Sequence, residues 1–147
     1  MKIKSLLIID DETLLVENLK FLLGGFADTI YTANNGKEGL KVLEAQAIHC
    51  VICDITMPVM NGIELIKEVR RRNISVPFIF YSAYGNREMM LEVAKYGAFE
   101  FLKKPDFQGL EDVISRGSEG GFHRHVATAS TSEVLSEYQR ILDEIDI

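Results

Sequence analysis

The stretch C-V-I-C-D-I-T-M-P-V-M-N-G, residues 50–62, decides the fold. Four apolar residues lead into Asp54, and Pro58, Asn61 and Gly62 then break the chain before a helical pattern starts at Ile63. The reading is a buried strand, a tight loop and a helix. Asp54 therefore stands at the carboxyl end of a buried strand, the edge of an open parallel α/β sheet where ligands bind.

A second stretch, S-L-L-I-I-D-D at residues 5–11, supplies companions for that carboxylate. It is a continuous apolar run, suited to a strand covered on both faces, and it ends in Asp10 and Asp11 just before a helical pattern. If the two strands are neighbours, Asp10, Asp11 and Asp54 converge. Like charges that close raise one another's pKa unless a cation sits among them, and a set of hard oxygen donors suits Mg²⁺.

Outward from these two stretches, strands and helices alternate. A helix is expected over about 12–23 with Leu15, Leu19, Leu22 and Leu23 on its apolar stripe, and Gly24-Gly25 ends it. A short strand at 30–33 and a turn at Asn34-Asn35-Gly36 precede a helix to about Ala47, with Leu40 and Leu43 facing inward. Ile63, Leu65, Ile66 and Val69 mark the third helix; Arg70, Arg71 and Arg72 at its end complement the helix dipole rather than form a phosphate site. Pro77 introduces the strand F-I-F-Y-S-A, whose end sets Ser82 beside the carboxylates. Asn86 starts a fourth helix with Met89, Met90, Val93 and Ala94 inward, and Gly97 stops it. A fifth strand over 99–102 delivers Lys104, an ammonium on a flexible stem, followed by Pro105, a candidate for a cis peptide. Leu110, Val113 and Ile114 mark a fifth helix that should stop near Gly117.

Composition narrows the function classes. The 147 residues, 47% of them hydrophobic, suit one domain with a sizeable core, and 16 basic against 22 acidic side chains argue against nucleic acid or an anionic membrane surface as a direct partner. No apolar run reaches the roughly 18 residues of a membrane span, and no signal peptide is evident, so a cytoplasmic location is expected. Cys50 and Cys53 form a C-x-x-C, yet residues three apart on a strand face opposite ways. They read as buried core thiols rather than a redox or zinc pair.

The order is thus (βα)₅, with carboxylates after strands one and three, a hydroxyl after strand four and a lysine after strand five. This arrangement resembles the receiver domain of two-component response regulators. The likeness covers about residues 3–117 and rests on Asp10-Asp11, the D-x-x-M-P-x-M-x-G run from Asp54 to Gly62, Ser82-Ala83 and Lys104-Pro105. It implies a flavodoxin-like, doubly wound, parallel five-stranded sheet. It further implies that Asp54 is the phosphoacceptor, fed by a histidine kinase or histidine phosphotransfer protein. Asp10, Asp11, Asp54 and the backbone carbonyl of Thr56 would form the Mg²⁺ site, Ser82 and Phe101 the switch, and Lys104 the phosphate-contacting lysine. A haloacid-dehalogenase-type phosphohydrolase would need an acid two residues after its nucleophile, where this chain has Thr56. Turnover of external phosphate esters is therefore not expected, only self-phosphorylation and its reversal. A pseudo-receiver, the remaining alternative, normally lacks one of these residues, and none is lacking here.

Departures from the family pattern fall on the output side: Phe99 where a small or acidic residue is common, and Asp106 rather than an aromatic after Pro105, with Phe107 one place later. Thr56 and Tyr84 occupy the two positions that most influence acyl-phosphate lifetime in the family. Residues 1–117 are expected to form the receiver, and 118–147 a flexible joint and an amphipathic C-terminal helix without an effector domain. Val134, Leu135, Tyr138, Ile141, Leu142 and Ile145 fall on one helical stripe, with Ser130 and Glu133 as a capping box. This helix is expected to dock on its own domain or a second copy, with Phe99 and Phe107 offering apolar surface. A homodimer through it, or through the fourth-helix and fifth-strand face, is the corresponding partner. His123 and His125 read as solvated loop residues, not metal ligands.

Overall fold

The computed structural model describes residues 2–120. Five strands alternate with five helices: β1 (Ile3–Ile9), α1 (Thr13–Leu22), β2 (Ala27–Ala33), α2 (Gly36–Ala45), β3 (Cys50–Cys53), α3 (Gly62–Arg71), β4 (Phe78–Ser82), α4 (Arg87–Lys95), β5 (Glu100–Lys103) and α5 (Phe107–Gly120). The sheet is parallel throughout in the order β2-β1-β3-β4-β5, which is the doubly wound, flavodoxin-like arrangement expected from the sequence. Because the order reverses at β1, this strand and β3 sit side by side at the centre, with Ile9 paired to Cys53. Asp10 and Asp54, the next residue on each strand, are thereby brought to the same edge.

Helices cover both faces, and each face has its own core. Leu40, Leu43, Leu65, Ile66, Val69, Met90 and Val93 pack on one side, against α2, α3 and α4. Val16, Leu19, Leu23, Leu110, Val113 and Ile114 pack on the other, where α1 and α5 lie. Cys53 belongs to the first core and Cys50 to the second, and both thiols are buried and free, as strand alternation requires. Three helices start on asparagine. The Asn35, Asn61 and Asn86 side chains accept from the backbone N–H of Glu38 (2.9 Å), Glu64 (2.9 Å) and Met89 (2.8 Å), each cap contributing about 1 kcal/mol.

Several expectations shift. Of the leucines expected on the α1 stripe, Leu19 and the C-cap Leu23 are buried and Leu15 packs against the same core, while Leu22 is half exposed and Val16 takes a buried place. The strand expected at 30–33 begins at Ala27, and β5 begins at Glu100 rather than Phe99. Phe99, lying ahead of the strand, packs into the α1/α5 core, and Phe107 leans on the same core beside Tyr81. Neither is the apolar docking surface expected of them. The fifth helix passes through Gly117 to Gly120, so the start of the expected joint is helical. The amphipathic segment, His123 and His125 lie outside the described residues.

The arginines at the end of α3 have local partners. Arg71 and Arg72 pair with Glu68, and Arg72 also reaches Glu44 at 2.7 Å. Arg70 does something the sequence did not announce. Its guanidinium donates to the carbonyls of Tyr96 (2.7 Å) and Ile74 (2.8 Å) while lying 5.5 Å from the Phe78 ring centroid, tying the end of α3 to the end of α4.

Candidate functional site

The carboxyl edge of the sheet gathers the residues singled out in the sequence. Asp10 and Asp54 are buried, Asp11 is exposed, and one carboxylate oxygen from each lies within 4.8 Å of the others. The backbone shapes these carboxylates. Asp10 Oδ1 accepts from the Glu12 N–H (2.9 Å) and Asp54 Oδ1 from the Ile55 N–H (2.7 Å). The second oxygens face Lys104, whose Nζ is 2.8 Å from Asp10 Oδ2 and 3.2 Å from Asp54 Oδ2. Ser82 Oγ donates to Asp54 Oδ1 at 2.7 Å, and the Tyr84 carbonyl is also within reach at 2.9 Å.

Two glycines permit this closeness. A Cβ on Gly62 would lie 2.3 Å from the Asp54 carbonyl oxygen, so the loop after β3 folds back over Asp54 only because residue 62 has no side chain. A Cβ on Gly85 would lie 2.7 Å from Phe101 Cζ. Phe101 is already turned inward, 2% exposed and 6.2 Å from the Phe80 ring centroid, and Ser82 is already hydrogen-bonded to Asp54. The Lys104–Pro105 peptide is cis, as expected.

Electrostatics follow from that geometry. Burial pushes the Asp10 carboxyl above its usual range, against the pull of the Lys104 and Glu12 hydrogen bonds. Burial also opposes the charge on Lys104, but the hydrogen bond to Asp10 and the charges of Asp10 and Asp54 outweigh it and hold the ammonium above its ordinary pKa. Three carboxylates around one ammonium leave an excess of negative charge in a cleft of about 220 Å³ that Asp11, Asp54, Thr56 and Lys104 help to line. Oxygen donors of that charge and spacing fit a small hard divalent cation. The arrangement can hold a cation on the Asp11 side and present donors, Lys104 and Ser82, to an anion arriving over Asp54.

A family model described as the response regulator receiver domain matches residues 6–115. The chain belongs to the response regulator receiver family. Receivers of this family take a phosphoryl group on an aspartate in two-component phosphorelays, work with histidine kinases and bind Mg²⁺ at their acidic pocket. The transcriptional regulatory protein ZraR of Escherichia coli K12 is 32% identical over 133 residues, which is 90% of this chain and 30% of ZraR. TdiR of Thauera aromatica is 32% identical over 101 residues, 69% of this chain and 44% of TdiR. The chain therefore spans between a quarter and a third of the length of the ZraR proteins it matches. Among solved structures, TrrA of Thermotoga maritima in complex with Mg²⁺ and BeF is 30% identical, with a TM-score of 0.67 over 78% of this chain and 98% of TrrA. A receiver from Clostridium thermocellum is 29% identical, with a TM-score of 0.71 over 83% of this chain and 96% of that one. No described helix of this receiver is long and apolar enough to cross a membrane.

Some contributors to the site were not foreseen. The Glu12 and Ile55 N–H donors are backbone groups and carry no side-chain signal. Leu14 and Val59, 76% and 74% exposed, stand in the segments that follow β1 and β3, and Tyr84, noted in the sequence for its position after Ser82, is 77% exposed and lines the cleft. Their exposure depends on how the loops are laid, which periodicity does not report.

Proposed function

We propose that Asp54 is the phosphoacceptor of this receiver and that the phosphoryl group comes from a phosphohistidine on a histidine kinase or histidine phosphotransfer protein. The observation that carries this reading is the convergence on Asp54 of Lys104 Nζ at 3.2 Å and Ser82 Oγ at 2.7 Å. A carboxylate oxygen of Asp54 attacks phosphorus; the new P–O bond forms as the P–N bond breaks. The imidazole, already protonated at its other nitrogen, leaves neutral. Positioning and positive charge are the main requirements for such a transfer. Lys104, released from Asp54 as that carboxylate becomes an acyl phosphate, donates to the phosphoryl oxygens. Ser82 exchanges its bond to Asp54 for one to the same group, and Ile55 N–H holds the aspartyl end still.

Asp10, Asp11, Asp54 and the Thr56 carbonyl would hold Mg²⁺, which when bound offsets charge on the transferring oxygens. Asp10, buried and bonded to Lys104 at 2.8 Å, lies at the back of the site, leaving the exposed Asp11 to face solvent. Ser82 and Phe101 would carry the switch, since the hydroxyl that meets the phosphoryl group lies on the strand next to that of the ring. Holding Phe101 against Gly85 couples this pair to the start of α4. The test is intact mass after acetyl phosphate and Mg²⁺. Wild type should gain one phosphoryl group and Asp54→Asn none; stoichiometric labelling of Asp54→Asn would overturn the assignment.

A further inference from the structure

The side chain of Glu12 serves neither its helix nor the cluster of Asp10, Asp11 and Asp54. Glu12 is the N-cap of α1, a position that favours Ser, Thr, Asp or Asn, and its side chain makes no capping hydrogen bond. Its backbone is held on both sides instead: the N–H donates to Asp10 Oδ1 at 2.9 Å and the carbonyl accepts from Val16 N–H at 3.0 Å. The side chain is left to turn into the cleft, where Oε1 lies 3.7 Å from Lys104 Nζ. We propose that Glu12 determines phosphodonor specificity: its carboxylate engages the solvent side of the Lys104 ammonium and keeps negative charge at the mouth of the cleft, which disfavours small, highly charged donors free in solution. The inference rests on Asp54 being the phosphoacceptor.

A lysine ammonium has three hydrogens to give and no acceptor. At Lys104 the two short contacts go inward, to Asp10 Oδ2 at 2.8 Å and Asp54 Oδ2 at 3.2 Å, both on buried residues. Glu12 approaches from outside, its side chain 63% exposed, at a distance where the attraction is one of charge rather than a hydrogen bond. An incoming phosphoryl group must therefore pass this carboxylate to reach Nζ. Asp11 differs, because it belongs to the three-carboxylate cluster whose charge a divalent cation would offset, whereas Glu12 faces Lys104 alone. Repulsion scales with the charge of the arriving donor and is screened by salt. A protein donor can outweigh it with contacts elsewhere on its surface and with a fixed line of approach. A small donor in solution has neither.

Initial labelling rates of the full chain, followed by intact mass at saturating Mg²⁺ and low ionic strength with two small donors, provide the test. Acetyl phosphate is a dianion, and its bond from phosphorus to acetate breaks as the bond to Asp54 forms, acetate leaving with the electron pair. Phosphoramidate carries one net negative charge, and its nitrogen, already protonated, leaves as ammonia. Glu12→Gln should speed labelling by acetyl phosphate about fivefold and by phosphoramidate about twofold, so that the ratio of the two rates rises, and both gains should shrink at about 0.5 M salt. Glu12→Asn, which gives α1 a preferred cap, should behave in the same way and so separates charge at the mouth from helix stability. Glu17→Gln removes an equal charge from an exposed position on α1 and should leave the ratio at its wild-type value. An unchanged ratio in Glu12→Gln, a gain that persists in high salt, or an equal gain in Glu17→Gln would overturn the inference while the Asp54 assignment stands. Wild type that neither donor labels would overturn both together.

Discussion

Val59 and Asn73 are the two described residues other than glycine with positive φ, at 69° and 61°, and they lie at opposite ends of the sheet. Asn73 closes the turn after α3 at the amino end, and asparagine tolerates that conformation well. Val59 stands in the loop that folds over Asp54, and a β-branched side chain fits it poorly. The same division appears in the charges. At the amino end Arg70 satisfies two carbonyls and Glu68 is held by two arginines. At the carboxyl end Asp10, Asp54 and Glu12 all lie near Lys104, Asp11 stands beside them, and burial raises the Asp10 pKa. One end is built from satisfied partners, and the other holds strain and repulsion at the site proposed to receive the phosphoryl group.

That contrast is open to direct attack. The largest effect should come from Lys104→Met, which removes the cation beside Asp54 and should slow phosphorylation by acetyl phosphate about 10²-fold, measured by intact mass against time. A rate near wild type would mean that the ammonium serves folding alone. Next, Arg70→Met breaks two charge-assisted hydrogen bonds at the other end and should cost about 2 kcal/mol in urea unfolding while the phosphorylation rate holds. A rate loss as large as that of Lys104→Met would erase the division between the ends. Smaller still, Val59→Gly relieves the left-handed strain and should raise stability by about 1 kcal/mol, net of the added freedom of glycine in the unfolded chain. Asn73→Gly should change stability by only a few tenths of that amount.

The smallest effect is a titration. The hydrogen bonds from Arg71 and Arg72 pull the Glu68 carboxyl down to about 2. Its folded pKa is depressed, so its contribution is complete above the unfolded value near 4.5 and disappears as pH falls through about 2. Carboxyl ¹³C shifts in the folded state should show Glu68 still ionised at pH 3. A midpoint near 4.5 would mean that the pair is not formed in solution.

The sheet and its site were legible because their signals are local. Continuous apolar runs ending in Asp10, Asp54 and Ser82, and the Phe-Glu-Phe-Leu run ahead of Lys103 and Lys104, fix both the strand type and the edge at which each side chain emerges. What escaped depends on tertiary neighbours. The α1 leucines look alike in sequence, and only packing on the sheet separates buried Leu19 and Leu23 from exposed Leu14 and half-exposed Leu22. Phe99 and Phe101 likewise differ in no local property. One precedes the strand and the other lies within it, so they fall into opposite cores. Arg70 read as one of three similar cations until the carbonyls of Tyr96 and Ile74 were seen to converge on it.

The placement of Cys50 and Cys53 has an experimental use. Each thiol sits in a different core, is fully enclosed and is pushed far above its usual pKa by burial, so neither reacts until its own layer opens. The receiver thus carries two intrinsic alkylation reporters, one under α1 and α5 and one under α2, α3 and α4. Peptide-resolved labelling with and without a phosphodonor would tell which layer loosens as the signal arrives, without adding a probe to either.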